Sequence, residues 1–322
     1  MKVFNSNGKF LLTGEYLVLK GATALAIPLK YGQSMEVELL DKNENHIFWD
    51  ASVKTTNNSQ QSTDLESKWF SAVLSKTDFS VINTDDIEKA ERLSNILKNV
   101  KSLNNNVFTE ENDYRFCCHL DFDPQWGLGS SSTLINNISE WANINPYLLL
   151  DSTFKGSGYD IACAKANGPI FYEVDRQQTT NICPVVKTAD FNPVFKDNLY
   201  FIYQGHKQNS GNEVKAFLDK KKSFESEIYS ITEISKILPD IQTLRDFCYF
   251  IKIHEDIMSS CLGQKRIKKY FNDFEGEAKS LGAWGGDFFM VATEWEYEKV
   301  KNYFENKGHN IIFKYKDIVL NY

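Results

Sequence analysis

Nowhere in the sequence do about 18 apolar residues follow one another, so no membrane-spanning helix is expected. The opening run MKVFNSNGKFLLTGEY has neither the long apolar core nor the small-residue cleavage site of a secretory leader, which makes the cytoplasm the default compartment. C-x-x-C spacing is missing too. The six cysteines (Cys117, Cys118, Cys163, Cys183, Cys248 and Cys261) are scattered, with Cys117 and Cys118 adjacent. That pattern argues against a zinc site or a disulfide framework and for reduced, buried thiols. There is no internal repeat and no low-complexity tail. Positive charge is not in excess: a formal net charge of -7 excludes a surface built as a whole to neutralise nucleic-acid phosphates, so any phosphate site has to be local.

What is present is the material of a folded protein. Apolar residues at 42% and charged residues at 25% exclude disorder for most of the chain. At 322 residues it is long for one ordinary core, and two lobes flanking a cleft are expected. The pattern restarts near residues 185–197, which places the lobes at 1–190 and 191–322.

The first forty residues read as extended, through FLLTGEYLVL, ATALAIP and QSMEVELL, and are broken at Gly14, Gly21 and Pro28. Residues 50–64, rich in Ser, Thr, Asn and Gln, read as a loop. Ile87, Ala90, Leu93, Leu97 and Val100 recur at helical spacing. A strand through RFCCHLDF runs into DPQWGLGSSS and then the helical TLINNISEWA, and a second glycine and serine loop opens KGSGYDIACAKA before the short strand PIFYE. From residue 198 the order is strand, polar loop, helices to about residue 262, strand DFFMVATE, helix, strand. This βααβαβ-like order predicts a split α+β sandwich.

The segment Gly127-Leu128-Gly129-Ser130-Ser131-Ser132 lies between a predicted strand and a predicted helix. Glycines let backbone approach an anion, and the free amides and dipole of a helix N-terminus attract negative charge. The serine hydroxyls suit phosphate oxygens or Mg²⁺. A glycine turn with a serine cap fits the same residues. Neither G-x-x-x-x-G-K-[ST] nor G-x-G-x-x-G occurs in this segment.

Three segments together resemble the signature motifs of the GHMP kinases, in order and approximate spacing: motif 1, Gly8-Lys9-Phe10-Leu11-Leu12-Thr13-Gly14-Glu15-Tyr16; motif 2, the loop from Gly127 to Thr133; and motif 3, Lys279-Ser280-Leu281-Gly282-Ala283-Trp284-Gly285-Gly286-Asp287. A fourth, Gly156-Ser157-Gly158-Tyr159-Asp160-Ile161-Ala162, is similar to a stretch of phosphomevalonate kinases and of the GYDIA subgroup. The resemblance spans almost the whole chain. It implies an α+β two-lobe fold, with a β-rich N-terminal lobe like ribosomal protein S5 domain 2 and a ferredoxin-like C-terminal sandwich. It also implies ATP and Mg²⁺ as cofactors and a small-molecule substrate, with no nucleic-acid or membrane partner. Both a monomer and a homodimer remain open.

Site residues carried over by the resemblance are Asp160 as the base on the acceptor and Lys9 as its cationic partner, with Gly127 to Ser132 on the nucleotide and Ser131 on the metal. Glu15, Tyr16, Ser157, Gly158, Lys207, Gly282, Ala283, Gly285 and Gly286 would line the acceptor. Departures are Asn7 for the usual proline, and Trp284 for a glycine, which would narrow or cap the acceptor pocket.

An alcohol acceptor such as mevalonate gains from Asp160, whereas the ionised phosphate of phosphomevalonate needs cations, for which Lys155, Lys207 and Lys101 are available. Leu149 stands where mevalonate kinases place a metal-binding glutamate, which tilts the expectation towards phosphomevalonate. A GHMP-fold protein that binds without turnover and a diphosphomevalonate decarboxylase-like enzyme are the alternatives. His254 reads as a packing histidine, Lys220 to Lys222 as a solvated helix end, and Cys118 and His119 lack further ligands at metal spacing.

Overall fold

The apolar residues of the helix predicted at 87–100 fall on one face, and in the computed structural model Ala90, Leu93, Leu97 and Val100 of that helix are buried. The structure describes residues 2–41, 44–55, 65–174, 184–205, 210–220, 222–282, 284 and 286–320. In chain order the elements are β1 (Lys2–Leu11), β2 (Ala24–Leu40), β3 (His46–Thr55), β4 (Leu65–Ser75), β5 (Val81–Thr84), α1 (Ile87–Leu103), β6 (Asp113–Leu120), α2 (Ser130–Ala142), α3 (Pro146–Thr153) and α4 (Tyr159–Lys165). Then come β7 (Ile170–Glu173), β8 (Val185–Thr188), β9 (Leu199–Tyr203), α5 (Ser210–Leu218), α6 (Glu225–Ile237), α7 (Leu244–Leu262), β10 (Glu277–Leu281), β11 (Phe288–Ala292), α8 (Tyr297–Glu305), β12 (Ile312–Lys314) and α9 (Tyr315–Ile318).

Contacts divide the chain into two units that are discontinuous in sequence. The first comprises Met1–Gly8, Tyr31–Pro124 and Leu128–Lys165; the second comprises Lys9–Lys30, Gln125–Gly127 and Ala166–Tyr322. This line differs from a single cut near residue 190, because Lys9–Lys30 and Gln125–Gly127 group with the C-terminal half. The contiguous lobes 1–190 and 191–322 remain a proposal.

In the first unit the strands run β5-β4-β3-β6-β2, antiparallel except for the parallel pair β3 and β6. Residues 50–55, expected in a loop, are the second half of β3 and pair with β4. Their polar side chains alternate with buried Ala51 and Val53, the period-2 pattern of a half-buried strand. The helices α1, α2, α3 and α4 bury Leu97, Ile138, Leu149 and Ile161 in a core with Trp49, Phe70 and Phe116 of the sheet. Trp49 and Phe116 stack at 5.0 Å between ring centroids. Leu149 is thus a core residue.

In the second unit, Ala24 to Ala26 of β2 pair with β7, and β7 pairs with β8. A separate antiparallel sheet has the order β10-β11-β9-β12. Its connectivity, β9, helices, β10, β11, α8, β12, with β9 and β11 central, is the ferredoxin-like arrangement expected. The strand the sequence did not reveal is β10, whose residues EAKSL have little β propensity yet are all buried. Phe271, Phe274, Phe289 and Phe304 form the core under α8. Among the described residues no helix is long and apolar enough to cross a membrane.

Candidate active site

The glycine loop is organised for backbone exposure. Gly127 and Gly129 have φ of 69° and 104°, a left-handed conformation that disfavours any side chain. Gly129 is the N-cap of α2 and supplies no side-chain hydrogen bond, and the first turn of α2 contains no acidic residue. Its amide groups therefore carry the positive end of the helix dipole without an internal carboxylate to offset it. The Ser132 hydroxyl donates to the Gly129 carbonyl (2.8 Å), while Ser131 is exposed.

Beneath this turn, α2 is fixed by buried polar groups of the first unit. Ser6 donates to Asn137 (2.6 Å), Asn136 to Ser6 (2.8 Å), Asn137 to the Gln33 carbonyl (2.9 Å) and Thr133 to Gln33 Oε1 (2.7 Å). These bonds hold the helix in register, because a slip would break them, while Asn136 Oδ1 is itself buried with no hydrogen-bond partner.

Asp160 occupies the first turn of α4, which packs against α2 within the same unit. The structure therefore brings the helix that follows the glycine loop and the helix that carries the expected base together as neighbours. The Asp160 carboxylate accepts from the Ile161 amide (3.1 Å) and is part-buried. Before it, Gly156 and Gly158 have φ of 131° and 84°, and Ser157 is part-buried. Of the expected anion partners, Lys101 donates to the carbonyls of Asn105 (2.6 Å) and Phe108 (3.4 Å) beyond the end of α1, and Lys155 is exposed with φ of 59°. Lys207, Ala283 and Gly285 lie outside the described residues.

In the second unit, the Lys9 ammonium donates to the Gly127 carbonyl (2.9 Å), tying β1 to the loop. Gly127 has no room for a side chain: a Cβ there would lie 2.4 Å from Cγ of Asp287. The same carboxylate would be 3.5 Å from a Cβ on Gly282, which has φ of 70°. Gly286 is buried, its carbonyl accepting from Gln204 Nε2 (2.8 Å).

Trp284 is an interior residue, 1% exposed. Its backbone amide donates to the Tyr16 hydroxyl (3.4 Å), and its indole Nε1 is buried with no hydrogen-bond partner. Tyr16 has φ of 58° and its ring lies 5.5 Å from that of Phe217.

Glu15 is also interior, 1% exposed, and its carboxylate is hydrogen-bonded to the Lys279 ammonium, itself fully buried on β10. Lys279 further meets Glu255 Oε1 (3.3 Å) and the Ser280 carbonyl (2.9 Å). Burial by itself would raise the Glu15 pKa, but Lys279 and His254 outweigh it and hold the carboxyl below its ordinary value. His254 Nε2 accepts from the Gly14 amide and lies 3.2 Å from Glu15 Oε2. His254 is therefore packed, as the sequence suggested, but within a charged cluster. The signal was present in α7, where Phe247, Ile251, Met258 and Cys261 form an apolar stripe that passes through His254 and Glu255. Nor is the lysine run wholly solvated: Lys220 donates to the Cys261 (2.7 Å) and Leu262 (3.1 Å) carbonyls at the end of α7. Lys222 pairs with Glu227 (2.9 Å), and Lys221 lies outside the described residues.

No protein-family model and no curated protein sequence matches the chain. Solved structures do. A mevalonate kinase from Methanococcus jannaschii is similar at a TM-score of 0.68 and 16% identity, over 100% of this chain and 98% of that one. Streptococcus pneumoniae phosphomevalonate kinase in complex with phosphomevalonate and AMPPNP has a TM-score of 0.68 and 14% identity, over 98% of this chain and 100% of that one. Lactococcus lactis galactokinase complexed with galactose has a TM-score of 0.63 and 10% identity, over 99% and 93%. The chain therefore has the fold of the GHMP kinases over its whole length.

Proposed function

We propose that this protein is an ATP-dependent small-molecule kinase that transfers the γ-phosphoryl group to phosphomevalonate or mevalonate. The observation that carries the reading is the packing of α2 against α4, with an uncapped glycine loop at the start of one helix and Asp160 in the first turn of the other. The likeness of the whole chain to structures that include a complex with AMPPNP supports it.

In this mechanism the amides of Gly129 to Ser132 hold phosphate oxygens, and Gly127 and Leu128 supply the backbone that approaches them. Mg²⁺ would neutralise charge on the transferring phosphate. The exposed Ser131 hydroxyl is an oxygen donor of the kind it prefers, while Leu149, sealed in the core, gives it no carboxylate. Asp160 accepts the proton of the attacking oxygen where that oxygen still carries one, the hydroxyl of mevalonate or the minor protonated form of the phosphate of phosphomevalonate. Lys9 counters charge developing on the transferred group. The residues we assign to the acceptor from the resemblance are Glu15, Tyr16, Ser157, Gly158, Lys207, Gly282, Ala283, Gly285 and Gly286; of these, Glu15 is sealed in its ion pair with Lys279 and would act only through it. The buried Leu149 favours phosphomevalonate.

A second reading, a protein of this fold that binds nucleotide or metabolite without turnover, is favoured by Asp287, whose carboxylate lies against Gly127 where phosphate would be drawn in. A coupled assay of ATP consumption with Mg²⁺ and mevalonate, phosphomevalonate, diphosphomevalonate, homoserine or galactose separates the two. Phosphorylated product from either of the first two acceptors sustains the kinase reading. Failure of all five, with nucleotide still bound, selects the second, and carbon dioxide release from diphosphomevalonate marks a decarboxylase.

A further inference from the structure

His254, Glu255, Glu15 and Lys279 form a buried cluster drawn from α7, the turn after β1, and β10. Two carboxylates and one ammonium leave it with a net negative charge when the imidazole is neutral, and an imidazolium would balance it. Buried unbalanced charge is costly. Yet the Gly14 amide donates to Nε2 (3.2 Å), which requires a lone pair there and puts the proton of a neutral ring on Nδ1. In that state the Nε2 lone pair also faces Glu15 Oε2 at 3.2 Å, and Nδ1 stands 3.6 Å from Glu255 Oε1, too far for a hydrogen bond. Glu15 Oε2 and His254 Nδ1 are both buried without a hydrogen-bond partner.

Protonation would turn the Glu15 contact into a charge-assisted hydrogen bond, Nε2–H donating to Oε2, and would leave Nδ1–H facing Glu255 at 3.6 Å as a contact between opposite charges. It would also remove the lone pair that the Gly14 amide uses. One nitrogen cannot serve both partners. Thr13 of the same turn is held by bonds that do not titrate: its Oγ1 is bonded to Ser235 of α6 (2.7 Å) and accepts from the Leu25 amide (3.0 Å), and its own amide donates to the Leu25 carbonyl (3.2 Å).

We infer that His254 is a positioning residue for the motif 1 turn. Its neutral ring anchors Gly14, and its protonated ring releases Gly14 and grips Glu15. The turn carries Tyr16, whose hydroxyl meets the Trp284 amide of motif 3, so the charge on His254 sets how the two motifs are held together. What the turn serves rests on the kinase reading; the exchange of partners at Nε2 does not.

The test is heteronuclear NMR on the full chain, labelled with ¹⁵N at glycine and histidine and free of substrate, followed from about pH 8 to about pH 5. The Gly14 amide resonance is expected to move in one step together with the His254 ring. In His254→Gln, whose amide oxygen can accept from Gly14 without titrating, that step should vanish. The pH dependence of KM should lose the matching step while kcat at pH 8 is retained. A Gly14 resonance that stays constant across the range in the folded wild type would overturn the inference, as would a step that persists in His254→Gln. Loss of the Gly14 step in the variant of a chain with no kinase activity would leave the inference standing and remove only the kinase reading.

Discussion

Lys279 and Glu15 are joined by an ion pair sealed from solvent on both sides, so that the lysine of one signature segment neutralises the glutamate of another 264 residues away. Glu255 shares the same ammonium, and the Ser280 amide donates to its second oxygen (3.3 Å). A buried pair of this kind adds little net stability over an apolar substitute, but losing one member exposes the full desolvation cost of the other.

Lys279→Met should accordingly destabilise the fold by about 3–5 kcal/mol, the usual consequence of leaving a buried charge unpaired. Urea unfolding measures it. Adding Glu15→Gln should restore part of the loss, since the carboxylate that lacked a partner is then neutral. A double variant no more stable than the single one would mean that Glu15 is not the charge being compensated.

Acid stability follows from the same contact. Because the folded Glu15 pKa is held below its ordinary value of 4.5, its contribution is fully present above that pH and is lost as pH falls through the lower, folded value. Thermal melts of wild type and Glu15→Gln should therefore differ most above about pH 5 and draw together progressively as the pH falls further, as the linkage relation requires.

Gly127→Ala combines two costs. The left-handed backbone at φ of 69° disfavours an L residue by about 1–2 kcal/mol, and the new methyl meets the Asp287 carboxylate, adding about 1–3 kcal/mol of overpacking. Asp287→Ala in the same chain should recover the second cost and leave the first, as read by chemical denaturation. Nucleotide affinity, read by calorimetry, should fall in Gly127→Ala.

Asp160→Ala is expected to abolish turnover and leave ATP affinity nearly unchanged, because the carboxylate acts on the acceptor. Calorimetry and a coupled assay on one preparation report both quantities. Joint loss of the two would make Asp160 a structural residue.

Lys9→Ala should lower kcat at least about tenfold, equivalent to about 1.4 kcal/mol of transition-state stabilisation. An unchanged kcat would restrict Lys9 to its hydrogen bond with the Gly127 carbonyl.

The periodicity of α1, the strand-loop-helix unit at Gly127 and the alternation of sheet and helix in the last third could all be read directly, because each depends on neighbours within a few residues. β10 could not: EAKSL has a strand's burial without a strand's composition, since its charged residues are neutralised by partners distant in sequence. Tyr16 and Trp284 were singled out by resemblance, but nothing local announces that the hydroxyl of one receives the amide of the other.

By itself, the sequence determined the fold class and singled out the glycine loop proposed for an anion and the residues proposed as base and cation, all through local pattern and motif. Tertiary structure alone decided that Glu15, His254, Glu255 and Lys279 become one buried cluster and that Leu149 is sealed in the core. The reason is physical. Charged side chains are ordinarily solvated, and only the simultaneous arrival of α7, β10 and the turn after β1 makes it cheaper to pair them than to leave them in water.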